Sequence, residues 1–159
     1  MEKTDTIELF TDGSYEPQTN HGAWAALILK NQKEQILSGE SKDSSQHKME
    51  LQAVIKGLNY IIKNYGYNNT IYLYTDSEYV ENLMHRKEKL IRNDFITKKG
   101  NCIRHSAEIK QFFSLEEQVR LTITQVPGHQ KKGVSRISDY NRRVDKLARK
   151  LVKKKKKNS

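Results

Sequence analysis

The chain of 159 residues has a single cysteine, Cys102. One thiol makes neither an internal disulfide nor a cysteine-based zinc cluster, so no such staple holds the chain, and a reducing compartment suits it. Long apolar runs are also missing. No stretch approaches the ~18 apolar residues of a membrane span, and residues 1–5 are polar and charged, unlike a secretory leader. The expectation is a soluble, cytoplasmic protein with no membrane partner. Acidic residues are in the minority, 19 Asp+Glu against 29 Lys+Arg, giving a formal charge of +10 and a pI near 9.6. That excess favours an acidic polymer, nucleic acid first, over an acidic small molecule. Internal repeats are not visible. What is present is sufficient for a packed interior: 35% hydrophobic residues, with Trp24, eight tyrosines and four phenylalanines, which excludes wholesale disorder. The length fits one domain, expected over residues 1–152 and followed by a lysine-rich, disordered tail at 153–159.

Three β-like runs open the chain, at 7–11, 21–29 and 34–41, joined by polar linkers short enough for hairpins, which predicts an antiparallel meander. A helical stripe follows from Lys48, with Leu51, Val54, Ile55, Leu58, Ile61 and Ile62 on one face and an end near Tyr65-Gly66. Residues 71–75 read as a buried strand, and Ser77 is a good N-cap for a helix containing Tyr79, Val80, Leu83 and Met84. Residues 85–105 are basic and irregular and read as a partly helical excursion. Further elements are a helix at 106–113, an alternating strand at 120–126 and a last helix at about 140–151. Strands first, then strand and helix in alternation, predict a mixed sheet flanked by helices, an α/β fold.

Two strands end alike, Leu9-Phe-Thr-Asp12-Gly-Ser14 and Leu73-Tyr-Thr-Asp76-Ser77. The carboxyl ends of neighbouring strands are where ligand crevices open in α/β sheets, so the two aspartates converge if the strands pair. Taken alone, Asp12 starts a turn with Gly13 and Asp76 caps a helix. Glu50 is harder to explain that way. It stands in the first turn of a strongly amphipathic helix and shares the face of Val54, where an unpaired carboxylate is costly. Asp145 repeats the anomaly beside Val144 and one turn before Ala148. Either of these two, singly, is an ordinary edge residue paired to a lysine. Four carboxylates at one sheet edge repel one another, and their natural counter-ions are hard divalent cations, magnesium or manganese, because the ligands are all oxygen and no His/Cys cluster accompanies them. A pair of such ions ~4 Å apart suits phosphodiester cleavage on a nucleic acid.

The sequence resembles the type 1 ribonucleases H, including the ribonuclease H domains of reverse transcriptases. The resemblance is carried by Phe-Thr-Asp12-Gly-Ser, His-Lys-Met-Glu50-Leu, Tyr-Thr-Asp76-Ser-Glu-Tyr-Val, Val-Pro-Gly-His129 and Asn-Arg-Arg-Val-Asp145-Lys-Leu-Ala, five blocks in the family's order. Glu50 follows Asp12 by 38 residues and Asp76 follows Glu50 by 26, spacings that also fit. The resemblance implies a ribonuclease H-like fold, a five-stranded mixed sheet with its first three strands antiparallel. It also implies an endoribonuclease that cuts the RNA strand of RNA–DNA hybrids with two Mg2+ ions, Mn2+ being a substitute, and leaves 5′-phosphate and 3′-hydroxyl ends.

By the same resemblance Asp12, Glu50, Asp76 and Asp145 are the metal-binding carboxylates and His129 assists proton transfer or product release. The 16 residues from His129 to Asp145 exceed the interval of typical cellular members. Gly13, Ser14, Ser45 and Gln46 match positions where the family contacts the RNA 2′-hydroxyls. Arg86, Lys87, Lys89, Lys98 and Lys99 fall in the excursion that many members use to grip the DNA strand through its phosphates. Nothing in the sequence requires more than a monomer.

Other readings share some of these features. A ribonuclease H domain excised from a reverse transcriptase or mobile-element polyprotein shares the motifs and explains the long interval after His129. A non-cleaving hybrid-binding module shares the fold, but loss of a carboxylate would mark it and none is lost. A transposase or integrase core uses a different acidic order. A general RNA-binding protein explains the charge and not the acids on apolar helix faces.

Overall fold

The computed structural model describes residues 6–128 and 132–157, with side chains as far as Lys153. Strands β1 (Thr6–Glu16), β2 (His21–Lys30) and β3 (Lys33–Lys42) form the expected meander, each pair antiparallel. Helix α1 (Gln46–Tyr65) then crosses the sheet to β4 (Thr70–Thr75), which pairs in parallel with β1. Helices α2 (Glu78–Arg92) and α3 (Ser106–Glu116) lead to β5 (Arg120–Gln125), parallel to β4, and α4 (Arg136–Lys157) completes the chain. The strand order is β3-β2-β1-β4-β5, a five-stranded mixed sheet.

Side-chain alternation along the strands sorts the core into two layers. Ile7 and Leu9 of β1, Ala26 and Ile28 of β2, and Ile71 and Leu73 of β4 face one way, against Leu51, Val54, Ile55, Leu58 and Ile61 of α1 and Phe112 and Phe113 of α3. Phe10, Ala25 and Leu27 face the other way, against Val144 and Ala148 of α4, with Tyr74 and Tyr140 packed alongside. The sheet is thus covered on both faces, and its upper edge opens between α1 and α4.

The structure departs from the sequence-based expectation in three places. β1 does not turn at Asp12-Gly13 but runs on to Glu16, because Asp12–Glu16 keep pairing with β2 after β4 has ended. α2 continues to Arg92, so Arg86, Lys87 and Lys89 stand on a regular helix; only 93–105 is irregular, closed by a bridge between Ile96 and Cys102. α4 begins before residue 140 and runs through 153–157, expected as a disordered tail, to Lys157. Lysine is a good helix former, and cations in the last turns complement the helix dipole. Among the described residues no helix is long and apolar enough to cross a membrane.

Candidate active site

The register of β1 and β4 fixes the centre of the site. Thr11 faces Thr75 as their last pair, so Asp12 and Asp76 emerge side by side where β4 stops, while Asp12 itself stays paired to Ala25 of β2. α1 brings the third carboxylate. Its N-cap is Ser45, whose Oγ accepts from the Lys48 N–H at 3.1 Å, and one turn on Glu50 reaches the strand ends. α1 and β1 approach closely here: a Cβ on Gly13 would lie 2.5 Å from the backbone carbonyl carbon of Met49. α4, on the opposite face, supplies Asp145. These four carboxylates, with Gly13, Ser14, Gln46 and Arg149, line one cavity of about 270 Å³.

Each carboxylate has a distinct environment. Asp12 is 5% exposed. Burial first, then the neighbouring carboxyls of Asp76 and Asp145, push its pKa up from the ordinary 3.8 to about 10. Glu50 accepts from the Ser77 hydroxyl and, at 3.1 Å, from the Gln46 side-chain amide, which also donates to the Gly13 carbonyl at 2.6 Å. Asp145 is paired with Arg149, Oδ1 to Nε at 3.1 Å. Asp76 is backed by the segment after β5, where a Cβ on Gly128 would lie 3.2 Å from its Oδ2.

Among the described residues no three carboxylate or imidazole side chains are already gathered closely enough to enclose an ion. Glu50 is turned to Ser77 and Gln46, and Asp145 to Arg149. The donor set still fits a hard divalent cation. It is all oxygen, and the anion of Asp12 is disfavoured by the same burial and like charge that a bound cation would offset.

The remaining residues singled out in the sequence are more scattered. Gly13, Ser14 and Gln46 line the cavity; Ser45 stands beside it, its Oγ 3.1 Å from His105 Nε2. Arg86, Lys89, Lys98 and Lys99 are exposed and do not line it. Lys87 is half-buried and does not line it: it is paired to Glu116 and Glu117 and lies over the Phe113 ring, joining α2 to α3. His129 lies outside the described residues. Sequence reasoning missed Arg149 and took Ser77 for a cap alone. Ser77 does cap α2, its Oγ accepting from the Val80 N–H at 3.1 Å, while its hydroxyl donates to Glu50. The only signal for Arg149 was its position one turn after Asp145.

Comparison with known proteins agrees with this architecture. The chain is 27% identical over 151 residues to a ribonuclease H of Thermoanaerobacter sp. (strain X514), spanning 94% of this chain and 91% of that protein. It is 28% identical to the ribonuclease H of Chlorobium luteolum, over 94% and 97% of the two chains. Among solved structures, LC9-RNase H1, a type 1 RNase H with the type 2 active-site motif, superposes with a TM-score of 0.75 at 17% identity, covering 93% of this chain and 72% of that one. A foamy viral protease-reverse transcriptase solved in complex with dsDNA gives a TM-score of 0.70 at 18% identity, covering 92% of each chain. The RNase H family model matches residues 4–153, so nearly the whole chain from β1 to α4 belongs to the RNase H family.

Proposed function

We propose that this protein is an endoribonuclease that hydrolyses the RNA strand of RNA–DNA hybrids, leaving 5′-phosphate and 3′-hydroxyl ends, with two Mg2+ ions that Mn2+ can replace. One observation carries the proposal: in a family fold whose curated relatives are ribonucleases H, four carboxylates, from β1, α1, α4 and the junction after β4, line a single cavity that includes the buried Asp12. Asp12, Glu50, Asp76 and Asp145 would hold the ions. Bound there, divalent cations lower the pKa of an attacking water and neutralise charge developing on phosphorus and on the departing 3′ oxygen.

The chain's own groups do the rest. Asp12 would have to release its proton to hold a cation, so apparent metal affinity would rise with pH. Ser77 and Gln46 orient Glu50, and the Gln46 amide ties α1 to the β1 backbone at Gly13, fixing the distance between two of the ligands. Gly13, Ser14 and Gln46, which line the cavity, and Ser45 beside it would meet 2′-hydroxyls, which only the RNA strand has. The exposed cations Arg86, Lys89, Lys98 and Lys99 would take phosphates of the DNA strand, and His129 would assist proton transfer or product release.

The test is cleavage of a labelled hybrid beside single-stranded RNA, duplex RNA and duplex DNA, with magnesium, manganese or chelator, for wild type and Asp12→Asn. Metal-dependent cutting confined to the RNA strand of the hybrid, and lost in Asp12→Asn, is expected. Binding of the hybrid without cutting under either metal would make the protein a hybrid-binding module instead.

A further inference from the structure

Arg149 is the one cation among the described residues lining the carboxylate cavity. It lies one turn after Asp145 on α4, with Nε 3.1 Å from Asp145 Oδ1, and its side chain is 46% exposed against 23% for Asp145. The arrangement has two sides. An acid followed by a base at i,i+4 supports a helix, and this alone would account for an ordinary surface pair. This pair, however, engages a carboxylate of the site, and a second one there is also held by protein groups, Glu50 by Ser77 and Gln46.

A divalent cation attracted to Asp145 competes directly with the guanidinium, since two positive groups on one carboxylate repel. The ion pair is half-exposed on its arginine side, and pairs open to solvent in this way contribute little, so a divalent cation can displace it. The displaced arginine has a long flexible stem and a planar donor fork suited to a phosphodiester oxygen pair. A strand seated in the cavity brings its phosphates to that place.

Resting on the reading of the cavity as a hybrid-cleaving site, we infer that Arg149 is a two-position residue. It neutralises Asp145 in the metal-free protein, is displaced when metal binds, and then holds a backbone phosphate of the strand to be cut. It acts as a positioning residue with two opposed effects, holding metal off and drawing substrate in.

The experiment compares wild type, Arg149→Met, Arg149→Lys and, as a control for loss of one charge elsewhere on the exposed side of α4, Lys150→Met. Calorimetric titration of Mn2+ into the protein alone reads the first effect. Hybrid KM and its dependence on monovalent salt, at saturating Mg2+, read the second. For Arg149→Met, Mn2+ binding tightens about threefold, the scale of an exposed ion pair. Its hybrid KM rises about tenfold, and the slope of log KM against log salt falls by about one. Arg149→Lys keeps the charge and loses the fork, so its KM lies between the two. Lys150→Met leaves Mn2+ binding as in wild type.

Unchanged Mn2+ binding and unchanged KM in Arg149→Met, with only a lowered melting temperature, would reduce the pair to helix support and overturn the inference. Weaker Mn2+ binding would overturn it too, since the arginine would then be aiding the ligand set. Failure of wild type to cut the hybrid would instead refute the underlying activity, and the metal titration on the free protein would still decide whether Arg149 competes for Asp145.

Discussion

Asp12 is the residue on which the site's electrostatics turn. A carboxyl with a folded-state pKa of about 10 and an ordinary value of 3.8 binds more protons folded than unfolded throughout the window between them. Stability of the metal-free protein therefore falls as pH rises from about 4 towards about 10. Asparagine has the same shape and does not titrate. In chelator, the melting temperature of wild type should fall more steeply than that of Asp12→Asn between about pH 5 and about pH 9, and Asp12→Asn should be the more stable protein at about pH 8. Saturating Mg2+ should narrow that gap, since a ligand at a hundred times its Kd adds about 2.7 kcal/mol to the form that binds it. Thermal melts over pH with and without metal check this; parallel curves would mean that the Asp12 proton is not linked to folding. The carboxylates themselves were legible in the sequence as a set, because Asp12 and Asp76 follow two strands that end alike and Glu50 and Asp145 stand beside apolar helix faces. Ser77 and Arg149 were not. A serine at a helix start and an arginine on a basic helix satisfy every local rule, and their second role exists only once α2 meets α1 and α4 meets the strand ends.

At the scale of elements, the site depends on how closely α1 lies on β1. The Gln46 amide reaches the Gly13 carbonyl, and Gly13 has no side chain where the backbone of Met49 and Glu50 passes. Backbone cannot rotate aside as a side chain can. Gly13→Ala should therefore push the start of α1 off the strand, at a cost of about 1–3 kcal/mol for an overpacked contact, and should carry Glu50 away from Asp12 and Asp76. Urea unfolding and hybrid cleavage should both report it, with activity falling more than the stability loss explains. Unaltered activity in a folded Gly13→Ala protein would show that Glu50 tolerates displacement. The elements were mostly legible because their periods are clean: alternation in β2, and the 3.6-residue stripe of α1. Their ends were less so. Nothing in Asp12-Gly-Ser-Tyr-Glu16 says that pairing with β2 outlasts pairing with β4, since that depends on the unequal lengths of two neighbours. The reach of α2 to Arg92 was hidden by its charge, because its buried stripe of Val80, Leu83 and Leu90 is interrupted by Lys87.

For the whole molecule, the contrast is between a formal charge of +10 and a cavity lined by four carboxylates and one arginine. Positive charge must hold the substrate from outside the cavity while the chemistry proceeds inside it, so the two should respond differently to salt. Counterion release makes log affinity fall linearly with log salt, by about 0.9 for each phosphate contact on a duplex, so four such contacts lose about a hundredfold between about 50 and about 200 mM. Hybrid KM should therefore rise steeply over that range while kcat at saturating hybrid and metal stays nearly constant. The fold also separates which lysines matter. Lys98 and Lys99 are exposed in the segment after α2, whereas Lys87 is spent on Glu116 and Glu117. Replacing Lys98 and Lys99 together by glutamine should lower the salt slope by up to about two and leave the melting temperature alone. Lys87→Gln should do the opposite, keeping the slope and destabilising the α2 to α3 contact by about 1–2 kcal/mol, because Glu116 is left mostly buried without its cation. A slope that fell with Lys87→Gln and not with the Lys98 and Lys99 pair would move the substrate's path from the tip of the excursion to the face between α2 and α3.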